Sequence, residues 1–145
     1  MIGIWDIIKV IFPAAIAYTM PLLMGALGGL YSERSGVTNL CIEGLMLFGC
    51  FASAAAIVKL QAAGVGFTLS IVIGIVVAMV ASMALSYLHA LASINLKADQ
   101  TISGTAINML STALTMFLAQ TITGSGNITI VRGIIRSDIP LLSSI

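Results

Sequence analysis

The sequence predicts an all-α, polytopic membrane protein, and three observations carry that prediction. Charged residues make up 8% of the 145-residue chain, against about a quarter in soluble domains. Hydrophobic residues make up 59%, and the mean hydropathy is +1.15. The apolar residues also fall into about four stretches, each near the ~20 residues that one helical crossing requires.

The first stretch is the uncharged run 10–32 between Lys9 and Glu33, long enough at ~1.5 Å per residue to cross a ~30 Å hydrocarbon core. It reads as a retained helix, because "MIGIWDIIKVIFPAAIAY" lacks the basic first region and the cleavage site of a signal peptide. Pro13 and Pro21 are expected to bend it, which neighbouring helices in a membrane can accommodate. Gly25 and Gly29 form a GxxxG and Gly28 extends the same small surface, so close approach by another backbone is expected there.

The second stretch, 37–58, is interrupted only by Glu43 and closed by Lys59. After the turn "QAAGVG" a third span, 67–88, is rich in Val, Ile, Ala and Met. His89 near its end reads as interfacial. The fourth span, 101–122, is less apolar and carries Thr101, Thr105, Asn108, Thr112 and Thr115 at spacings of three and four, which places them on one helical face. That stripe suits interhelical hydrogen bonding or one wall of a polar cavity. The remainder, 123–145, contains Gly, Pro and charges without a span-length apolar run, and reads as an extramembrane or interfacial tail.

If all four spans cross, Lys9, Lys59, Arg132 and Arg136 share one side and Arg34 and Lys97 the other. The positive-inside rule then favours a cytoplasmic N-terminus.

A net charge of +1 with no like-charge run excludes a nucleic-acid surface. Cys41 and Cys50 show no CxxC or metal-ligand spacing, so neither a metal site nor a disulfide framework is indicated. No phosphate loop, HExxH or GxSxG motif is present, and no catalytic residue is assigned. Transport, channel formation or scaffolding remain.

The polar stretch "SERSGVTNLCIEG", 32–44, carries the functional question. If a continuous helix begins near Val37, Glu43 lies roughly 9 Å inside the membrane. An ionised carboxylate at a helix centre there costs about 2.5 to 3.5 kcal/mol on insertion scales and is a functional-site candidate by default. Alternatively Asn39 caps a helix starting at Leu40, and Glu43 in its first turn is favoured by the helix dipole. Residues 33–43 then form a polar surface turn. Both readings leave room for a broken or re-entrant element near 33–44.

The segment "GGLYSERSGVTNLCIEGLMLFG" resembles the E-R-S-G-V-x-N signature of permease subunits of bacterial ATP-binding-cassette importers, and most closely their nucleoside permease group. "ADQTISGTAINMLSTALTMFL" resembles the next block of that family, and "IPLLSSI" the approach to its following helix. Cys41 departs from the pattern, where a glycine is expected. The family's chains are longer than this one, so the resemblance implies an N-terminal part.

The resemblance further implies a multi-pass pore subunit in a bacterial inner membrane. Its partners would be ATPase subunits that use the ATP, a second permease subunit, an extracytoplasmic substrate-binding protein and a nucleoside-like substrate. No cofactor is expected on this chain itself. The resemblance places Ser35, Asn39 and Glu43 on the translocation path, with Gly36 and Gly44 allowing the break and Thr105, Asn108 and Thr112 as the facing wall. Asn39 and Glu43 would lie one turn apart on one face if the segment is helical. Other readings are a permease for sugars or another small polar solute, and a small structural membrane protein or homo-oligomeric channel.

Overall fold

The computed structural model describes residues 3–124, and among them four helices are each long and apolar enough to cross a membrane. They are α1 (Ile4–Arg34), α2 (Ile42–Ala62), α3 (Phe67–Ala90) and α4 (Gln100–Thr123). The expected tail, 123–145, lies outside the described residues from 125 onward.

Helix α1 runs unbroken through Pro13 and Pro21. It packs against α2 alone among the described helices, at the GxxxG pair. A Cβ at Gly25 would sit 3.3 Å from Met46 Sδ, and one at Gly29 would sit 3.0 Å from Ile42 Cδ1. Gly28, expected to share that surface, has open space around it. The absence of a side chain at 25 and 29 is what lets α2 approach.

Helix α2 is the hub. It packs along α3 and more locally against α4 and α1. Three glycines bring α3 and α4 into backbone range of it. Gly49 faces Ser82 and the Ala78 carbonyl, Gly74 faces Ile57 and Ser53, and Gly44 faces Asn108 and Ser111. The Ser82 hydroxyl donates to the Leu45 carbonyl at 3.0 Å, an interhelical bond of the kind that joins helices where lipid provides no hydrophobic drive.

Helix α2 ends at a left-handed Gly64 (φ 78°), whose N–H returns to the Gln61 carbonyl while that of Val65 returns to Leu60. Helix α3 passes into a π-helical turn, Leu91–Asn95, and the chain reverses through Lys97 (φ 51°). The Asp99 carboxylate then caps α4, accepting from the N–H groups of Thr101 (2.8 Å) and Ile102 (3.1 Å).

The π-helical turn bears on His89. Sequence reading places it at an interface, yet it is 3% exposed, with Nδ1 3.1 Å from the Ser103 hydroxyl of α4. A partner fourteen residues further along the chain, reached only after the reversal, accounts for its burial.

Candidate functional site

The break between α1 and α2 begins at the C-terminus of α1. The N–H of Gly36 donates to the Glu33 carbonyl and that of Val37 to Ser32, with Gly36 at φ 85°. That left-handed conformation is open to glycine at little cost and terminates the helix. The Ser35 hydroxyl donates back to the Ser32 carbonyl at 2.6 Å. Ser35 therefore closes the last turn of α1 and lines none of the grooves described below.

Residues 36–41 are non-helical, and α4 pairs with several of their polar groups. Gln100 Oε1 accepts from the Thr38 N–H (2.7 Å) and hydroxyl (2.9 Å), and its Nε2 donates to the Gly36 carbonyl at 3.4 Å. One turn on, Gly104 leaves room for Leu40, whose Cβ would lie 3.0 Å from a Cβ at 104. One turn further, Asn108 Nδ2 donates to the Leu40 carbonyl at 2.9 Å and Oδ1 accepts the Gly44 N–H at 2.8 Å. In a continuous helix Gly44 N–H would bond Leu40 C=O directly. The Asn108 carboxamide occupies that gap and pairs with both groups.

Leu40 and Gly44 thus meet α4 about 6 and 12 Å past its first residue. The break descends along α4 by more than a turn. Within a membrane, irregular backbone is tolerated where protein covers it or where it lines a cavity, and Gln100, Gly104 and Asn108 cover this segment.

Helix α2 starts at Ile42, later than either sequence reading expected. Asn39 stands outside it, its Oδ1 accepting from the Cys41 N–H (3.1 Å) and Sγ (2.8 Å). Cys41 is fully buried at this corner. Glu43 lies in the first helical turn and is exposed. Among the described residues its carboxylate takes no hydrogen bond or ion pair.

The expected pairing of Asn39 with Glu43 on one helical face is not what the structure shows. Asn39 borders a cavity of about 290 Å³ between α1 and α2, with Gly25, Gly28 and Ser82. Glu43 borders an open groove of about 560 Å³ between α2 and α4, with Gly44, Leu47, Asn108, Met109 and Thr112. The two diverge because the chain at 39 is extended into an Asx turn and becomes helical only three residues later. Gly44, expected to permit the break, lies inside α2 and instead permits contact with α4. A Cβ there would be 2.7 Å from Asn108 Oδ1 and 2.9 Å from Asn108 Cα.

The polar stripe of α4 divides. Asn108 and Thr112 face the groove, whereas Thr105 lies outside it, its hydroxyl donating to the Thr101 and Ile102 carbonyls. Thr112 donates to the Asn108 carbonyl at 3.0 Å. Sequence reading missed Gln100 and Gly104, although their four-residue spacings to Asn108 place all three on one face.

What the groove can do follows from its lining. A carboxylate, an amide and a hydroxyl oxygen collect at the end nearest the break, and Leu47 and Met116 continue it as an apolar trough. Such a surface suits a small solute with a polar edge and an apolar body.

Residues 12–139 match the family described as branched-chain amino acid transport system / permease component. The guanosine ABC transporter permease protein NupQ of Bacillus subtilis is 42% identical over 123 residues, covering 82% of this chain and 37% of that protein. The nucleoside ABC transporter permease protein NupC of Lactococcus lactis is 35% identical over 138 residues, covering 95% of this chain and 43% of that protein. The putative glucose ABC transporter permease protein TsgC13 of Haloferax volcanii is 38% identical over 104 residues, covering 72% of this chain and 29% of that protein. The chain thus spans less than half the length of these curated relatives. No solved structure matches it.

Proposed function

Since the chain belongs to the branched-chain amino acid transport system permease-component family, we propose that it forms part of the membrane-spanning pore of an ATP-driven importer of nucleosides. In this reading an external binding protein delivers the nucleoside and a second permease subunit completes the pathway. Separate ATPase subunits bind and hydrolyse the ATP, and the assembly sits in the inner membrane. This chain carries no reaction of its own.

The observation that supports this reading is the groove between α2 and α4. It sets Glu43, whose carboxylate has no partner among the described residues, beside Asn108 and Thr112 within helices apolar enough to lie in lipid. A carboxylate turned toward lipid would be costly. One turned toward a hydrated solute path is not, and a helix broken at depth is where transporters commonly hold their solutes.

The names of the Bacillus and Lactococcus relatives favour nucleosides. The Haloferax relative supports a sugar as the second reading, and both share a polyhydroxylated ring. The rival reading of a structural protein or homo-oligomeric channel has no comparable support.

The test is uptake by the complete permease, reconstituted with its ATPase and binding protein. Glu43→Gln is expected to lower ATP-driven nucleoside uptake by about ten-fold, the loss of one interaction to a charged group, while the complex still assembles. Wild-type uptake by this variant would reduce Glu43 to a helix-end residue. Uptake of glucose but of no nucleoside would replace the proposed substrate.

A further inference from the structure

The groove between α2 and α4 has an uneven set of hydrogen-bonding groups. As a carboxylate, Glu43 offers only acceptors, its two oxygens, and nothing among the described residues occupies them. The Thr112 hydroxyl proton is committed to the Asn108 carbonyl, which leaves its oxygen as an acceptor. Asn108 gives one Nδ2 proton to Leu40 and one Oδ1 lone pair to Gly44, so a single N–H remains. Of the other lining residues, Gly44, Leu47, Met109, Ala113 and Met116 carry no side-chain donor.

The groove is also polar at one end only. Leu47 lies one turn past Glu43, and Met116 one turn past Thr112, each about 6 Å further from the break. Met116 lines the wall there, while Met109 sits beside Asn108 nearer the break, and methionine sulfur packs favourably against aromatic rings.

We propose that this groove recognises its solute by hydroxyl donors, with a vicinal diol held against the Glu43 carboxylate. The inference rests on the importer reading above. Two adjacent O–H groups match two carboxylate oxygens in the bidentate manner that makes charge-assisted hydrogen bonds strong. The remaining Asn108 N–H donates to one of those hydroxyl oxygens. The heterocycle of a nucleoside then lies along Leu47 and Met116, deeper in the bundle than its sugar.

Two exclusions follow. A nucleoside stripped of its vicinal diol no longer offers the carboxylate two adjacent donors. A phosphorylated solute brings acceptors and negative charge to a site already rich in both, and like charges at close range in a low-dielectric setting repel strongly. The groove selects the neutral nucleoside over the nucleotide.

The experiment compares maximal uptake of guanosine and of its 2′,3′-dideoxy analogue, lacking both hydroxyls of the diol, by the complete reconstituted transporter. Each is supplied at a concentration that saturates the binding protein, so that only passage through the membrane subunits is compared. The wild type is expected to favour guanosine by about ten-fold or more, and Glu43→Gln to shrink that preference by about ten-fold. A wild-type preference near unity overturns the proposal without recourse to any variant. An equal fall in uptake of both solutes in Glu43→Gln also overturns it, while leaving the importer reading intact. Failure of the wild type to take up any nucleoside removes the importer reading, and the proposal with it.

Discussion

Asn108 of α4 accepts the amide proton of Gly44 on α2 at 2.8 Å, and a Cβ at position 44 would come within 2.9 Å of Asn108 Cα. The two helices therefore meet backbone to backbone at the residue that follows Glu43. The position of that carboxylate depends on this contact. The same carboxamide pairs with the Leu40 carbonyl, so one side chain on α4 sets both where α2 begins and how its first turn is oriented.

Removing the carboxamide isolates that role. Asn108→Ala leaves the Leu40 carbonyl and the Gly44 N–H without their partner, at a cost of about 1–3 kcal/mol for each group that stays buried. The purified complete permease is expected to melt several degrees lower than wild type. Asn108→Asp, which keeps the acceptor for Gly44 but cannot donate to Leu40 when ionised, is expected to restore part of the loss. Melting unchanged in Asn108→Ala would show that the bridge contributes nothing.

Glycine substitutions separate contact from composition. Gly44→Ala places a methyl group against the α4 backbone, which a side-chain rotation cannot relieve, and overpacking of this kind costs typically about 1–3 kcal/mol. Gly28→Ala meets nothing within 4 Å and is expected to leave the melting temperature unchanged. Equal effects from the two substitutions would contradict the α2–α4 contact.

The clasp formed by Gln100 is testable by exchange. Gln100→Ala removes the acceptor of the Thr38 N–H, so amide hydrogen exchange at 36–38 is expected to quicken by about ten-fold or more as that segment loses its tether. Exchange in the α2–α3 interface, held by Gly49, Ser82 and Leu45, should not change. Unchanged exchange at 36–38 would mean that another group holds the break.

The contrast between what the sequence reveals and what it hides follows a physical line. Span number, the GxxxG contact at Gly25 and Gly29 and a break between α1 and α2 are local properties of composition and spacing, and they are legible. The roles of Asn108, Gln100 and Gly44 are set by the register of α2 against α4. That register is fixed by contacts between residues more than sixty apart in the chain. The Asn39–Glu43 pairing assumed a helix across both positions, and it failed because Asn39 binds the next turn's backbone instead. His89 looked interfacial as a lone polar residue at a helix end. Its partner, Ser103, becomes a neighbour only after the π-helical turn and the reversal at Lys97.

The central claim is that the Glu43–Asn108–Thr112 groove lies on the solute path. Thiol labelling tests it most directly, with Thr112→Cys compared against Thr105→Cys in the complete reconstituted transporter with Cys50 replaced by alanine. Cys41, being fully buried, can stay. A small charged thiol reagent is expected to modify position 112, to block uptake when it does, and to be slowed by added nucleoside. Position 105, outside the groove, should show no such protection. Modification at 112 that proceeds at the same rate with and without nucleoside, and leaves uptake intact, would contradict the account.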